Sequence, residues 1–147
     1  MKRFQFSLET LLSLRKEQEQ ECEIVLALAV GTLTSINRRI EAARRAGDNA
    51  FLSGGSSIEE LRSRERLWLK SLGDCKALEQ PKQEASRKVD EARDVYTEAH
   101  VKRTALDKLR EKRKDQWKFK MKQEEIKRLD ETAKGANIRR RLTGRDE

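Results

Sequence analysis

The sequence has little that breaks a helix and little that builds a pocket. One proline and seven glycines in 147 residues place it outside the Pro/Gly-rich disordered class. Its single histidine, His100, sits among charged residues and reads as a solvated helix position. No Ser–His–Asp set can be placed with a geometric reason, and no catalytic residue is expected. Gly54-Gly55 lacks the lysine and the strand-to-helix setting of a phosphate loop. Cys22 and Cys75 have no second Cys or His nearby, so metal-ligand spacing is absent and two free thiols are expected. No cofactor, metal or small-molecule substrate is implied. The longest apolar run, Ile24 to Val30, falls far below the ~20 residues that span a bilayer. The start Met1-Lys2-Arg3-Phe4 is basic, but Glu9 interrupts the apolar residues and no small-residue cleavage site follows. A cytoplasmic, soluble protein is expected.

The hydrophobic class is also scarce, at 35% against 41% charged residues. A compact globule needs roughly half apolar residues. This chain can line a thin seam but cannot fill a thick core. The apolar residues are ordered accordingly. Cys22, Leu26, Ala29, Leu33, Ile36, Ile40 and Ala43 recur at alternating steps of four and three. After a Gly/Ser stretch a second stripe follows: Ile58, Leu61, Trp68, Leu72, Cys75 and Leu78. That is a coiled-coil seam interrupted once by a turn. The fold class is all-α, an elongated antiparallel two-helix coiled-coil hairpin.

The expected boundaries come from local signals. Ser7 fits an N-cap, Phe6 and Leu11 a hydrophobic staple, and Glu9 the favourable end of the helix dipole. The first helix is expected over about 7–46, stopping at Gly47-Asp48. Residues 47–57 form the loop, and Ser57 with Glu60 fits a capping box. The second arm is expected over about 58–134, kinked or broken near Pro81, which lacks a backbone donor and clashes with the preceding turn. Gly135 opens a frayed basic tail, 135–147. A register in which facing residue numbers add to about 104 sets the large residues together, Ile36 against Trp68 and Ala43 against Leu61. If the 58–79 segment folds aside at Pro81, that sum rises; both registers remain open from sequence.

Charge is unevenly placed. Residues 1–100 hold 17 Lys/Arg and 17 Asp/Glu, whereas 101–147 hold 17 and 9, which supplies the whole +8. Such a basic arm favours an acidic partner. Within it, Trp117 and Phe119 interleave with lysines and arginines. Aromatic–basic interleaving can stack on nucleic-acid bases. On a helix, however, Trp117 and Phe119 point ~200° apart, which suits a helix touched by protein on more than one side. A protein partner is therefore placed ahead of nucleic acid.

The opening Phe4-Gln5-Phe6-Ser7-Leu8-Glu9-Thr10-Leu11-Leu12-Ser13-Leu14-Arg15 resembles the start of FliJ-type flagellar export proteins. Leu109-Arg110-Glu111-Lys112-Arg113, Trp117 and Lys127-Arg128-Leu129-Asp130-Glu131-Thr132-Ala133 are similar to that family's C-terminal part. The resemblance implies a non-enzymatic stalk and assembly factor of the flagellar type III export ATPase. Such a stalk inserts into the hexameric ATPase ring, touches the linker of the membrane export gate and handles export chaperones. It implies a cytoplasmic location, peripherally associated with the inner membrane through the export apparatus. The candidate ring-contacting residues are Phe4, Phe6, Leu8, Leu11, Arg110, Lys112, Arg113, Trp117 and Phe119. The tyrosines with which some members contact the gate are missing from Ile40–Ala46 here. Phe51 and Trp68 are the candidates for that contact by position. The alternatives are the stalk of a virulence-type secretion ATPase and a basic helical RNA- or ribosome-binding protein.

Overall fold

A computed structural model describes residues 3–52 and 54–144. Two helices, α1 (Glu9–Leu52) and α2 (Ile58–Thr143), pack against each other as a hairpin, with no strand among the described residues. The N-cap half of the capping box forms, Glu60 N–H donating to Ser57 Oγ at 3.2 Å, and Leu61 N–H donates to the Ser57 carbonyl at 3.1 Å as the first bond of the helix ladder. The N-terminal start differs slightly. A turn at Ser7 and Leu8 precedes the helix, and Glu9 N–H donates to the Phe6 carbonyl at 3.1 Å.

Both helices overrun their expected stops. α1 continues through Gly47 to Leu52, because Gly47 serves packing and not termination. It is buried, and a Cβ there would stand 2.4 Å from Ser71 Oγ. Only glycine lets the two backbones approach so closely. Nor does any described glycine take the left-handed conformation of a helix stop. The same holds at Gly135: α2 runs on to Thr143, so the expected tail is helical over 135–143. Residues 145–147 of that tail lie outside the described residues.

The break expected near Pro81 does not occur; Pro81 lies inside a continuous α2. A helix-interior proline costs ~3 kcal/mol relative to alanine, mainly one ladder bond and a ring clash. Packing on both sides offsets this. Cys75 and Leu78 are half-buried before Pro81, and Ala85, Val89 and Ala92 are buried after it. Pro81 itself is exposed, so the deprived carbonyl of Ala77 is placed where solvent can reach.

The chain divides into two compact units. In the unit Arg15–Val101, every residue of the expected α1 stripe from Cys22 to Ala43 is buried or half-buried. The stripe extends in phase to Glu19 on one side and to Gly47 and Ala50 on the other. On α2 the expected stripe holds in part: Cys75 and Leu78 are half-buried, while Ile58, Leu61, Trp68 and Leu72 are exposed and Ser71 is buried in place of its neighbour Leu72. The Ser71 hydroxyl donates to the Ala43 carbonyl at 2.6 Å, which satisfies it in the seam.

The register is corrected as well. Phe51 meets Trp68 and Glu19 meets His100; the numbers of each pair add to 119, not 104. Matching the largest residues was the wrong criterion. Gly47, Ala50, Ser71, Ala85 and Ala92 are all buried, and small residues bring the helices close along their length. Close approach gains many dispersion contacts that a few large pairs at wider spacing do not.

Two glycine substitutions test this geometry. Gly73 has open space where a Cβ would stand, so Gly73→Ala is expected to stabilise by about 0.5–1 kcal/mol. Gly47→Ala gains the same propensity but drives a Cβ to 2.8 Å from Ser71 Cβ, and overpacking costs about 1–3 kcal/mol. Thermal melts should move in opposite directions. A rise in both would show that the helices spread freely at Gly47.

Candidate partner interface

The second unit joins Met1–Leu14 to Lys102–Glu147. Its organising feature is the N-terminal strap, which lies on α2. Phe6 is buried, and the Arg113 guanidinium sits 5.7 Å from its ring centroid. Arg113 Nη1 donates to Ser7 Oγ at 2.9 Å, and Arg110 Nε donates to Glu9 Oε2 at 3.0 Å. Phe4 meets Trp117 with ring centroids 6.0 Å apart and planes tilted by 56°.

Magnitudes show what holds the strap. An exposed ion pair such as Glu9–Arg110 is worth about 0.2–1 kcal/mol and the cation–π contact about 0.5–1 kcal/mol. Burying Phe6 contributes about 1.5–3 kcal/mol. Apolar burial binds the strap, and the charged groups orient it. The glutamate–arginine pair again adds to 119, the register of a close-packed antiparallel seam.

The candidate ring residues thus fall into two groups. Phe4, Phe6, Leu8, Arg110 and Trp117 are buried or half-buried, and Arg113, although exposed, is engaged by the strap. Lys112 and Phe119 are exposed and share a shallow groove with Lys108, Glu111, Asp115 and Gln116. Leu11 is exposed, because burial falls on its neighbour Leu12. The expected split of Trp117 and Phe119 between faces holds: Trp117 faces the strap, and Phe119 is 62% exposed. From residue 118 to 143 α2 is helical and exposed almost throughout, Met121 and Gly135 alone being half-buried. That segment carries nine Lys/Arg against four Asp/Glu, with Phe119, Ile126 and Leu129 exposed on one face. Its chemistry is that of a contact surface: cations for acidic groups, beside an apolar strip.

In the unit Arg15–Val101, Phe51 and Trp68 meet edge-on beside the turn, centroids 6.2 Å apart and planes at 71°. Both remain exposed, as do Leu52 and Ile58. One feature escaped the sequence reading. His100 is not simply solvated: Nδ1 lies 2.8 Å from Glu19 Oε1, and its ring stacks on Tyr96 at 24°. Glu19 is buried. The two residues are 81 apart in sequence, so local pattern hides the pair; the clue was Glu19 falling on the four–three stripe of α1. Cys22 and Cys75 are both half-buried and free.

Among the described residues no group of His, Cys, Asp and Glu could hold a metal ion. No helix among them is long and apolar enough to cross a membrane. No curated protein and no solved structure matches the chain. The family model described as flagellar FliJ protein matches residues 4–142, from the strap through the exposed end of α2. The two-helix hairpin, the strap seated on α2 and a match over nearly its whole length place this chain in the FliJ family, whose members are components of the flagellar export apparatus.

Proposed function

We propose that the chain is a non-enzymatic stalk and assembly factor of the flagellar type III export ATPase. In this reading it activates the ATPase ring, links it to the export gate and receives export chaperones, at the cytoplasmic side of the inner membrane. The observation that carries the reading is the helical, exposed, basic stretch of α2 from 118 to 143, next to a seated strap. A shaft inside a ring must keep its own shape while offering its surface to several subunits in turn. Exposed lysines on a long helix satisfy that requirement. The strap supplies stiffness where α2 leaves its partner helix. Phe51 and Trp68 beside the turn are the proposed gate contact, an exposed aromatic pair that an apolar segment can cover.

The strap also selects the variants for testing. Reversing Arg110 or Arg113 breaks contacts within the chain, so loss of function there would be ambiguous. Lys118, Lys120 and Lys122 are exposed. Changing all three to Glu is expected to abolish stimulation of the cognate ATPase with helicity unchanged by circular dichroism. Changing Arg62, Arg64 and Arg66 to Glu, beside the turn, should spare stimulation. If the first variant stimulates normally and the second does not, the polarity is reversed. If neither matters and the protein binds RNA with a steep salt slope, phosphate contacts and not a stalk explain the basic arm.

A further inference from the structure

Residues 24–37 of α1 contain no charge, the longest such stretch in a chain with 41% charged residues. One side of this stretch forms the seam. The other side is uncovered: Ile24 is 61% exposed and Leu28 is 68% exposed. In the observed register, α2 is level with it over about 82–95, where its outer side carries lysines, arginines and acids in mixture. Solvent exposure alone therefore explains the α2 surface and not the α1 surface. Over Ile24–Val30 the helix is apolar on all sides, and such a helix is normally covered on all sides.

The uncovered side has its own four–three order. Ile24, Leu28, Gly31 and Ser35 form a stripe roughly opposite the seam. It continues in phase to Glu17 and Glu21 on one side and to Arg38 and Ala42 on the other. Its charge is thus polarised, acidic before the apolar centre and basic after it. A partner must be apolar in the middle with acids and bases in the reverse order. A second copy of the same helix, laid antiparallel, meets this requirement.

We infer that this back face of α1 is a self-association surface, pairing two copies antiparallel about a two-fold axis between Leu28 and Gly31. In that pairing Leu28 of each copy faces Gly31 of the other, where a Cβ would meet nothing within 4 Å. The leucine thus has a hole to fill. Ile24 faces Ser35, and Glu21 faces Arg38, twice per dimer by symmetry. A parallel pairing would set Glu21 on Glu21 and Arg38 on Arg38. From Glu17 to Ala42 the stripe runs ~39 Å at helical rise. A strip about 10 Å wide covers roughly 800 Å² over both copies, below the standard size of a stable interface. The dimer is weak and reversible, populated at concentrations on the order of 100 μM.

Sedimentation equilibrium of the full chain, from micromolar to about 1 mM and under reductant to keep Cys22 and Cys75 as thiols, tests this. The wild type should show a monomer–dimer equilibrium. Leu28→Asp should abolish it. Arg38→Glu should weaken it about tenfold, by replacing two attractions with two repulsions. The swap Glu21→Arg with Arg38→Glu should restore it to within roughly threefold. Circular dichroism should be unchanged throughout, since none of the three positions lies on the seam. A wild type that stays monomeric at 1 mM overturns the inference. So does an Arg38→Glu variant that dimerises like the wild type, which would mean a parallel pairing or a contact through another surface such as the exposed end of α2.

Discussion

Leu12→Ala is expected to cost about 2–5 kcal/mol, the range for truncating a buried leucine whose surroundings close only partly. Leu12 is 1% exposed, the most deeply buried large side chain among the described residues. The pairing of Glu9 with Arg110 brings it level with residue 107, between the half-buried Leu106 and Leu109. A two-helix seam has no third layer to collapse into the vacated space, which favours the upper half of the range. For a chain of this size that is a fall of roughly 5–15 °C in Tm. Leu11→Ala is the control: its neighbour is partly exposed and should move Tm by only a few degrees. Because Leu12 and the Phe4–Trp117 contact belong to the same compact unit, its truncation should also loosen Phe4 from Trp117, seen as a red shift of tryptophan emission at temperatures where the helices persist. Equal Tm for both variants would mean that the seam at this end does not close on Leu12.

Val89→Asp should open the seam of the unit Arg15–Val101. Val89 is 5% exposed, whereas Val95, six residues on, is 55% exposed. A carboxylate in the valine's place must be desolvated without a partner or take up a proton, and an unpaired buried charge costs several kcal/mol. Val95→Asp should stay within about 0.5 kcal/mol, as surface changes do. Urea unfolding monitored at 222 nm separates the two. A lower midpoint for Val89→Asp with an unchanged one for Val95→Asp confirms the phase of the α2 stripe. If Val95→Asp proves the worse variant, the helix is rotated by about half a turn from its observed phase. The Val89→Asp variant should regain part of its stability below the pH at which the new carboxyl protonates in the folded state, because only the charged form is penalised by burial. That dependence distinguishes an electrostatic penalty from a loss of packing volume.

The strap divides the proposed contact surface through the same energetics. Arg110, Arg113 and Trp117 read in the sequence as parts of one basic, aromatic contact surface. In the folded chain they hold Ser7, Glu9, Phe6 and Phe4. They anchor the strap at the origin of the exposed segment of α2, while Lys112, Phe119 and the lysines that follow are exposed. A single stretch of basic residues thus divides between internal support and open surface, and the division follows helical phase. Arg110, Arg113 and Trp117 fall on the stripe turned toward the strap; Lys112 and Phe119 do not.

Two apolar stripes separated by one Gly/Ser stretch determined by themselves that this chain is a helical hairpin, and the alternation of four and three along α1 was the clearer of the two. It determined the α1 seam from Cys22 to Ala43 residue by residue, because heptad phase is a local property of one helix. The N-cap at Ser57 was legible for the same reason, since its partners are three residues apart. The opening motif carried the family. What the tertiary structure alone decided was everything that depends on two distant residues meeting. Gly47 read as a stop and proved to be a contact, since only the approach of Ser71 reveals why a side chain is excluded there. Pro81 read as a kink or a break, and α2 runs through it unbroken, since seam burial on either side outweighs one lost hydrogen bond. The register moved by about four helical turns from the pairing of largest residues, because interhelical distance is set by small residues such as Ala85 and Ala92. Sequence shows which residues are small, but only the packed pair shows where smallness draws two helices together.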